Sequence, residues 1–328
     1  SPEAIQNDGP NGIYSYPLGQ YANTDKASTD PCAVDANDPN LAYKFGTMAN
    51  ETVIAQTFNK DLANEYGKIC GNYSLWSNLT IFWGCGTNLH RTPYNARNHE
   101  YYSEDAVLTS GQAVAFISGG KEYGVIIAPK HLAFNDTEIN RTGVSVFMTE
   151  QQARENELRG TQASIEDAGA LGIMTAFNRV GITAANAHTG LLKNILRGEW
   201  GFKGLESQDF IMNPNYAVLK EYALNGGTMT TFTGENTMAA VSEKFAYWTT
   251  ENVGQDTELM GAIKQAMTWQ AYALANSNAL DGMASSTRLV SVRTWYDNAL
   301  VAVQVVFAAL TVLAAAMYVL NDRKSKKQ

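Results

Sequence analysis

Between residues 50 and 280 the chain alternates short apolar runs with stretches of helical periodicity. Strand-like runs fall at 79–85, 124–128 and 171–176. Further candidates lie at 224–232 and at 204–210, although Glu206, Ser207 and Gln208 are polar for a buried strand. Helical spacing occupies 59–69, 104–117, 149–168, 189–197, 215–224 and 257–275. Strands that alternate with helices build βαβ units and a mostly parallel sheet, either doubly wound or closed into a (β/α)8 barrel. Residues 1–50 are rich in Gly, Pro, Asn and Asp and read as loops, with turns at Asp8-Gly9-Pro10 and Asp38-Pro39-Asn40. Neither a P-loop nor the G-x-G-x-x-G fingerprint is present, since Gly84-Cys85-Gly86 continues into Thr87-Asn88-Leu89. A phosphate-binding sheet therefore loses support and the barrel gains it.

One segment departs from this alternation. Residues 299–320 carry no charge, and Gln304 is the only strongly polar side chain among them. At roughly 1.5 Å per residue the run spans a hydrocarbon core of roughly 30 Å. Arg323, Lys324, Lys326 and Lys327 follow at once, and basic residues favour the cytoplasmic side. The expected topology is a single membrane anchor through 299–320, a cytoplasmic tail at 321–328 and the remainder facing outward. The opening Ser1-Pro2-Glu3 has no initiator Met and no signal-like apolar run, so it reads as a mature or cut product.

Composition narrows the function classes. The 328 residues are 45% hydrophobic and 17% charged, which suits a packed domain rather than a disordered polymer. Lys and Arg total 24 against 32 Asp and Glu, a net charge of −8, so no nucleic-acid partner is expected. Cys32, Cys70 and Cys85 are too few for a disulfide scaffold and lack metal spacing; one disulfide with a spare thiol and three free thiols both remain open. His90, His99, His131 and His188 lie far apart without an H-E-x-x-H pair, so no metal site is expected.

Polar side chains gather after the strand-like runs, where barrel active sites assemble. Asn88, His90, Arg91, Arg97, Asn98, His99, Glu100, Glu104 and Asp105 follow the first run, and Lys130, His131, Asn135, Asp136, Asn140 and Arg141 the second. Phe177-Asn178-Arg179 follow the third, and Gln208-Asp209-Phe210 close 204–210. Directed donors and cations at this density suit a ligand covered in hydroxyls, such as a sugar. A carboxylate beside them stabilises or attacks an oxocarbenium-like centre. Taken singly, these residues have plainer uses; Glu104-Asp105 would cap the following helix.

In their order, these motifs resemble glycoside hydrolase family 3, in its β-glucosidase branch. The resemblance rests on Asp8-Gly9-Pro10, on Gly84–Pro93 running into Arg97-Asn98-His99-Glu100 and Ser103-Glu104-Asp105, and on Lys130-His131 with Asn135 and Asn140-Arg141. It continues through Met174–Asn178, Leu196-Arg197 with Trp200 and Gly204, Gln208-Asp209-Phe210 and Ala275–Ala279, and so covers about 8–280. It implies a (β/α)8 TIM-like barrel, incomplete at its N-terminus, that hydrolyses terminal β-linked sugars with retention. Asp209 matches the family's nucleophile. Asp8, Arg97, Lys130, His131 and Arg141 match positions that hold the sugar, and the resemblance implies no cofactor. Nearby cations favour the ionised carboxylate that such a nucleophile needs. Lys130-His131 followed by Leu132–Asn135 resembles the glucosidase and xylosidase members rather than the amino-sugar hydrolases.

Some positions depart from the family pattern. Gln208-Asp209-Phe210 stands where Ser-Asp-Trp is usual, Phe177 where Tyr is common, and Asn225–Thr231 where a Gly-Asn-Asp stretch is expected. The second carboxyl, at roughly 5–5.5 Å from the nucleophile in retaining enzymes, belongs in the family to a separate α/β sandwich. Residues 281–298 read as a linker to the membrane span, so that sandwich is expected upstream or on a partner chain, as in relatives of reversed domain order. Glu100, Glu104 and Glu206 are carboxylates near the motifs, but none is assigned as the acid. The sequons at Asn50, Asn72, Asn78, Asn135 and Asn140 include two inside site motifs, which favours a prokaryotic cell surface over a glycosylating pathway. The expected function is an exo-acting β-glycosidase on β-linked oligosaccharides or β-glucosides. Its alternative is a carbohydrate-binding cell-surface protein that has lost turnover.

Overall fold

A computed structural model of the protein describes residues 5–9, 48–76, 79–209, 218–230, 248–280, 293 and 295–325. Contacts divide the chain into two compact units, Ser1–Gly282 and Met283–Gln328. Among the described residues the first unit holds eight strands, β1 (Ile5–Asp8), β2 (Leu79–Gly86), β3 (Ile126–Leu132), β4 (Ser145–Val146), β5 (Gly172–Thr175), β6 (Arg179–Val180), β7 (Thr183–Ala184) and β8 (Leu205–Gln208). Its described α-helices of five residues or more are α1 (Glu51–Ala55), α2 (Lys60–Trp76), α3 (Ala106–Lys121), α4 (Arg159–Glu166), α5 (Leu219–Leu224), α6 (Thr250–Gln255) and α7 (Thr257–Ala275).

β1, β2, β3, β5 and β8 form a five-stranded parallel sheet in that order, so each strand lies beside the next long one in sequence. Parallel strands covered on both faces are apolar throughout, and all of β2 and β3 is buried. On one face Ile81, Trp83, Ile126, Ala128, Met174 and Leu205 pack together; on the other, Phe82 and Ile127 meet Phe116 of α3. The sheet, helices and connection order make an α/β fold of the TIM-barrel kind. β4, β6 and β7 form a small second sheet beside the strand ends.

The structure refines several sequence expectations. Ile5–Asp8, read as loop, is a strand, the outermost among the described residues: its register runs to Trp83, and the Trp83 indole donates to Gln6 at 3.0 Å. Four largely polar residues carry no strand signal of their own, and the neighbouring apolar strand supplies it. The helix expected over 149–168 is interrupted by the π-helical turn Ala153–Glu157, which turns Glu157 and Leu158 inward. The segment 189–197 is likewise a wide helix, Gly190–Glu199. The strand expected at 224–232 is reduced, within the described residues, to a single bridge from Met229 to Ser207, because the helix ends at Leu224 and Gly226 turns the chain at φ 97°. Cys70 and Cys85 are free and buried. Cys32, the Asp38-Pro39-Asn40 turn, Phe210 and most of the linker lie outside the described residues.

α2 and α3 approach closely because glycines face each other across the contact. A Cβ on Gly67 would overlap the carbonyl of Phe116, and one on Gly119 that of Asn64. The second unit contains α8 (Trp295–Ser325), whose Trp295–Tyr318 stretch is long and apolar enough to cross a bilayer.

Gly67→Ala should lower the unfolding free energy by about 1–3 kcal/mol through overpacking, despite better helix propensity worth ~1 kcal/mol. Urea titration of the two proteins measures the difference; an unchanged midpoint would show that the α2–α3 contact is looser than the geometry states.

Candidate active site

The carboxyl ends of β1, β2, β3 and β8 bring the polar residues of the sequence motifs together. β2 and β3 keep regular register through Trp83–Ala128 and then shift, so that Gly86 pairs with Lys130. Thr87 N–H donates to the Lys130 carbonyl at 2.7 Å. Asn88 clamps the next residue with two bonds: its amide donates to the His131 carbonyl at 3.0 Å, and its oxygen accepts His131 N–H at 2.9 Å. Lys130 and His131 are thus fixed by backbone before their side chains make any contact.

Those side chains enter an alternating network of charges. Lys130, 2% exposed, donates to Asp8 at the end of β1 and stands 3.6 Å from Glu100. Glu100 accepts from Arg97. Arg97 in turn reaches Glu138 at 3.6 Å, and Glu138 accepts from Arg141 at 2.8 Å. The Arg141 guanidinium lies 4.3 Å from the centre of the Phe177 ring, a cation–π contact. His131 Nε2 faces Asp209 Oδ2 at 3.7 Å. All six residues singled out in the sequence (Asp8, Arg97, Lys130, His131, Arg141 and Asp209) therefore lie in one contiguous cluster.

The protonation states follow from position. Burial, with Arg97, Lys130 and Arg141 nearby, holds the His131 imidazole well below its usual range, so the ring is neutral. The Tyr101 hydroxyl lies 3.3 Å from Nδ1 and accepts from the Asn135 amide at 2.8 Å. The same hydroxyl lies 3.5 Å from the Asn135 carbonyl, so Tyr101 joins the His131 ring to the Asn135 side of the site. For Glu100, burial pushes the carboxyl up, but Lys130 and Arg97 outweigh it and hold it below the usual range.

The other carboxylates sort clearly. Asp105 caps α3 by accepting Leu108 N–H at 2.6 Å, while Glu104 stays exposed beside it. Glu206, on β8, is fully buried; burial pushes it up to about 7, against a Tyr222 hydrogen bond and the charge of Arg197. Asn135, within one of the sequons, is buried with its amide committed to Tyr101 and Glu138. The sequence motifs contained Asn88, Tyr101 and Asn135, yet their supporting roles became visible only through partners distant in the chain, and Glu138 was not singled out. Glu51 and Thr52 carried no sequence signal beyond the sequon at Asn50.

Residues 40–228 match the model of the glycosyl hydrolase family 3 N-terminal domain. The chain is 34% identical to a beta-glucosidase of Ruminococcus albus over 175 residues, 53% of this chain and 18% of that one. It is 33% identical to beta-glucosidase B of Emericella nidulans over 159 residues, 48% of this chain and 19% of that one. Among solved structures it is similar to beta-glucosidase 3B from Thermotoga neapolitana in complex with glucose, with a TM-score of 0.70 and 25% identity over 85% of this chain and 36% of that one. The matched region spans only about a fifth of the length of the curated relatives.

Glu206 supplies a pH test. Its folded pKa of about 7 lies above the ordinary 4.5, so the folded state keeps a proton that the unfolded state releases. Its contribution to stability is full below pH 4.5 and is lost as pH rises to about 7, a total of about 3 kcal/mol at ~1.4 kcal/mol per unit. Glu206→Gln should therefore gain on the wild type by roughly that amount between pH 4.5 and 8. Denaturant titrations at the two pH values give the result; parallel pH dependences would mean that Glu206 is ionised in the fold.

Fold, motif order and family-model match agree: this chain belongs to glycosyl hydrolase family 3 and carries that family's N-terminal domain.

Proposed function

We propose that the protein is a retaining, exo-acting β-glycosidase of β-glucosidase type. The observation that carries this reading is the neutral His131 facing Asp209 at 3.7 Å, at the edge of a continuous network of cations and carboxylates centred on the buried Lys130 and Glu100. The similar Thermotoga enzyme holds glucose, and the curated relatives are β-glucosidases. In this reading Asp8, Arg97, Lys130, His131 and Arg141 hold the hydroxyls of a terminal sugar. Asp209 Oδ attacks the anomeric carbon as the bond to the leaving oxygen breaks, forming a glycosyl ester, and water then hydrolyses that ester with net retention. Hydrogen bonds to the sugar that tighten in the transition state add several kcal/mol.

The leaving oxygen must take a proton. Glu100 and Glu138 are paired with cations, and Glu206 is fully buried on the side of Arg197 and Tyr222. None of the three is a free acid beside Asp209. We assign the acid to an upstream α/β sandwich or a partner chain. In the same reading the TIM-like sheet is part of an eight-stranded barrel, and 299–320 anchors it to a membrane with the barrel outside and the basic tail in the cytoplasm. The paired state of these carboxylates also favours a second reading, a cell-surface protein that binds sugar without turnover.

Fluoride leaves without protonation, so 2-deoxy-2-fluoro-β-glucosyl fluoride interrogates Asp209 without the acid. Intact mass should rise by one fluoroglucosyl group, peptide mapping should place it on Asp209, and Asp209→Asn should abolish it. Glucose binding by a folded chain that never labels would establish the binding protein instead. For the anchor, chain expressed in bacterial membranes should stay in the pellet through alkaline carbonate extraction; release into the supernatant would exclude a spanning helix.

A further inference from the structure

The first turn of α1 supports the sugar subsite from behind, through two consecutive side chains. Glu51 is fully buried, and its Oε2 accepts Gly86 N–H at 2.8 Å. Gly86 closes the stretch where β2 leaves regular register: four residues of β2, Trp83 to Gly86, are matched to three of β3, Ala128 to Lys130. An unmatched residue displaces a ladder hydrogen bond, and the Glu51 carboxyl supplies the acceptor for the displaced strand end. The contact is close on its other side too, since a Cβ on Gly86 would overlap the Glu100 carbonyl.

Thr52, the next residue, reaches the second support. Its hydroxyl lies 2.8 Å from the Asn98 carbonyl and 2.9 Å from that of Tyr101. His90 Nε2 reaches the same two carbonyls at 2.9 Å each. Between them runs the turn Asn98–Glu100, which follows Arg97 and presents Glu100 to both Arg97 and Lys130. α1 itself is held in place by Asn50, whose side chain accepts Val53 N–H at 2.9 Å.

Glu51 is surrounded by Asp8, Glu100 and Lys130 toward the site, and by Tyr66, Cys70, Cys85 and Tyr102 elsewhere. Burial raises its carboxyl well above the ordinary range; the Gly86 bond and Lys130 oppose this, while Glu100 and Asp8 add to it. A glutamine amide is the near-isostere that keeps an acceptor for Gly86 N–H.

We propose that Glu51 and Thr52 are positioning residues of the sugar subsite, holding the strand end beside Lys130 and the turn that presents Arg97 and Glu100 at a fixed separation. This inference rests on the assignment of that cluster as a sugar site. It differs from a structural role in what it predicts: the two residues set affinity and rate, beyond stability.

The experiment uses the full chain as wild type, Glu51→Ala, Glu51→Gln and Thr52→Val. Glucose affinity is measured by calorimetric titration, labelling rate by the fluoroglucosyl fluoride, and Tm in parallel. Since small misplacements in a site cost up to about a hundredfold, Glu51→Ala should lose roughly tenfold to a hundredfold in labelling rate and bind glucose more weakly. Glu51→Gln, which keeps the acceptor for Gly86, should recover most of that loss. Thr52→Val should lose in the same direction while folding normally. A fall in Tm with wild-type affinity and labelling in the folded proteins would overturn the proposal. If Glu51→Ala does not fold, Thr52→Val decides, and unchanged binding and labelling there overturns it too. If the wild type binds glucose but never labels, the hydrolase reading fails and the affinities alone decide the positioning role. A wild type that does not bind glucose overturns both.

Discussion

The ammonium of Lys130 has almost no access to water, and a buried cation persists only where anions and hydrogen bonds replace its hydration. Much of the site follows from meeting that condition. Asp8 and Glu100 serve Lys130, Glu100 also serves Arg97, and Glu138 lies between Arg97 and Arg141. Three cations thus alternate with three carboxylates along one line. Each inner member of the line has a partner on both sides, which is why residues from β1, the loop after β2, the end of β3 and the loop beyond it are assembled together. His131 stands next to this line and is neutral because of it: three neighbouring positive charges and burial both disfavour a fourth proton.

Carboxyl groups in this fold separate into two classes by environment. Glu100 is ionised because cations outweigh its burial. Glu51 and Glu206 are fully buried, and burial dominates, so both are pushed up. Glu157 is a mixed case: burial, with Asp136 beside it, raises it to about 7 although Arg91 lies 3.3 Å away and works in the opposite direction. The distinction decides chemistry. An ionised carboxylate orders cations around a ligand, whereas a neutral one both donates and accepts hydrogen bonds; Glu51 accepts from Gly86 N–H.

The backbone at the strand ends is as constrained as the charges. Asn88 fixes His131 by its amide and carbonyl groups, and Tyr101 orients the ring through Nδ1 while being held by Asn135. Preorganisation of this kind lets a site meet a transition state without rearranging. Gly86 is central to it, since both Glu51 and the Glu100 carbonyl close on that residue.

The sequence by itself determined the alternation of apolar strands and helices, the extents of β2, β5 and α7 to within a residue or two, and the six residues that form the cluster. These are properties of local periodicity and of motifs whose order along the chain survives without coordinates. The tertiary structure alone decided that Ile5–Asp8 is a strand, that Asp8 meets Lys130 across 122 positions, and that His131 faces Asp209. It alone disclosed Glu51 and Thr52. Hydrogen bonding to a strand end, burial of a carboxyl and the summed field of three cations are properties of neighbours brought together by the parallel sheet. Nothing adjacent in the chain specifies them.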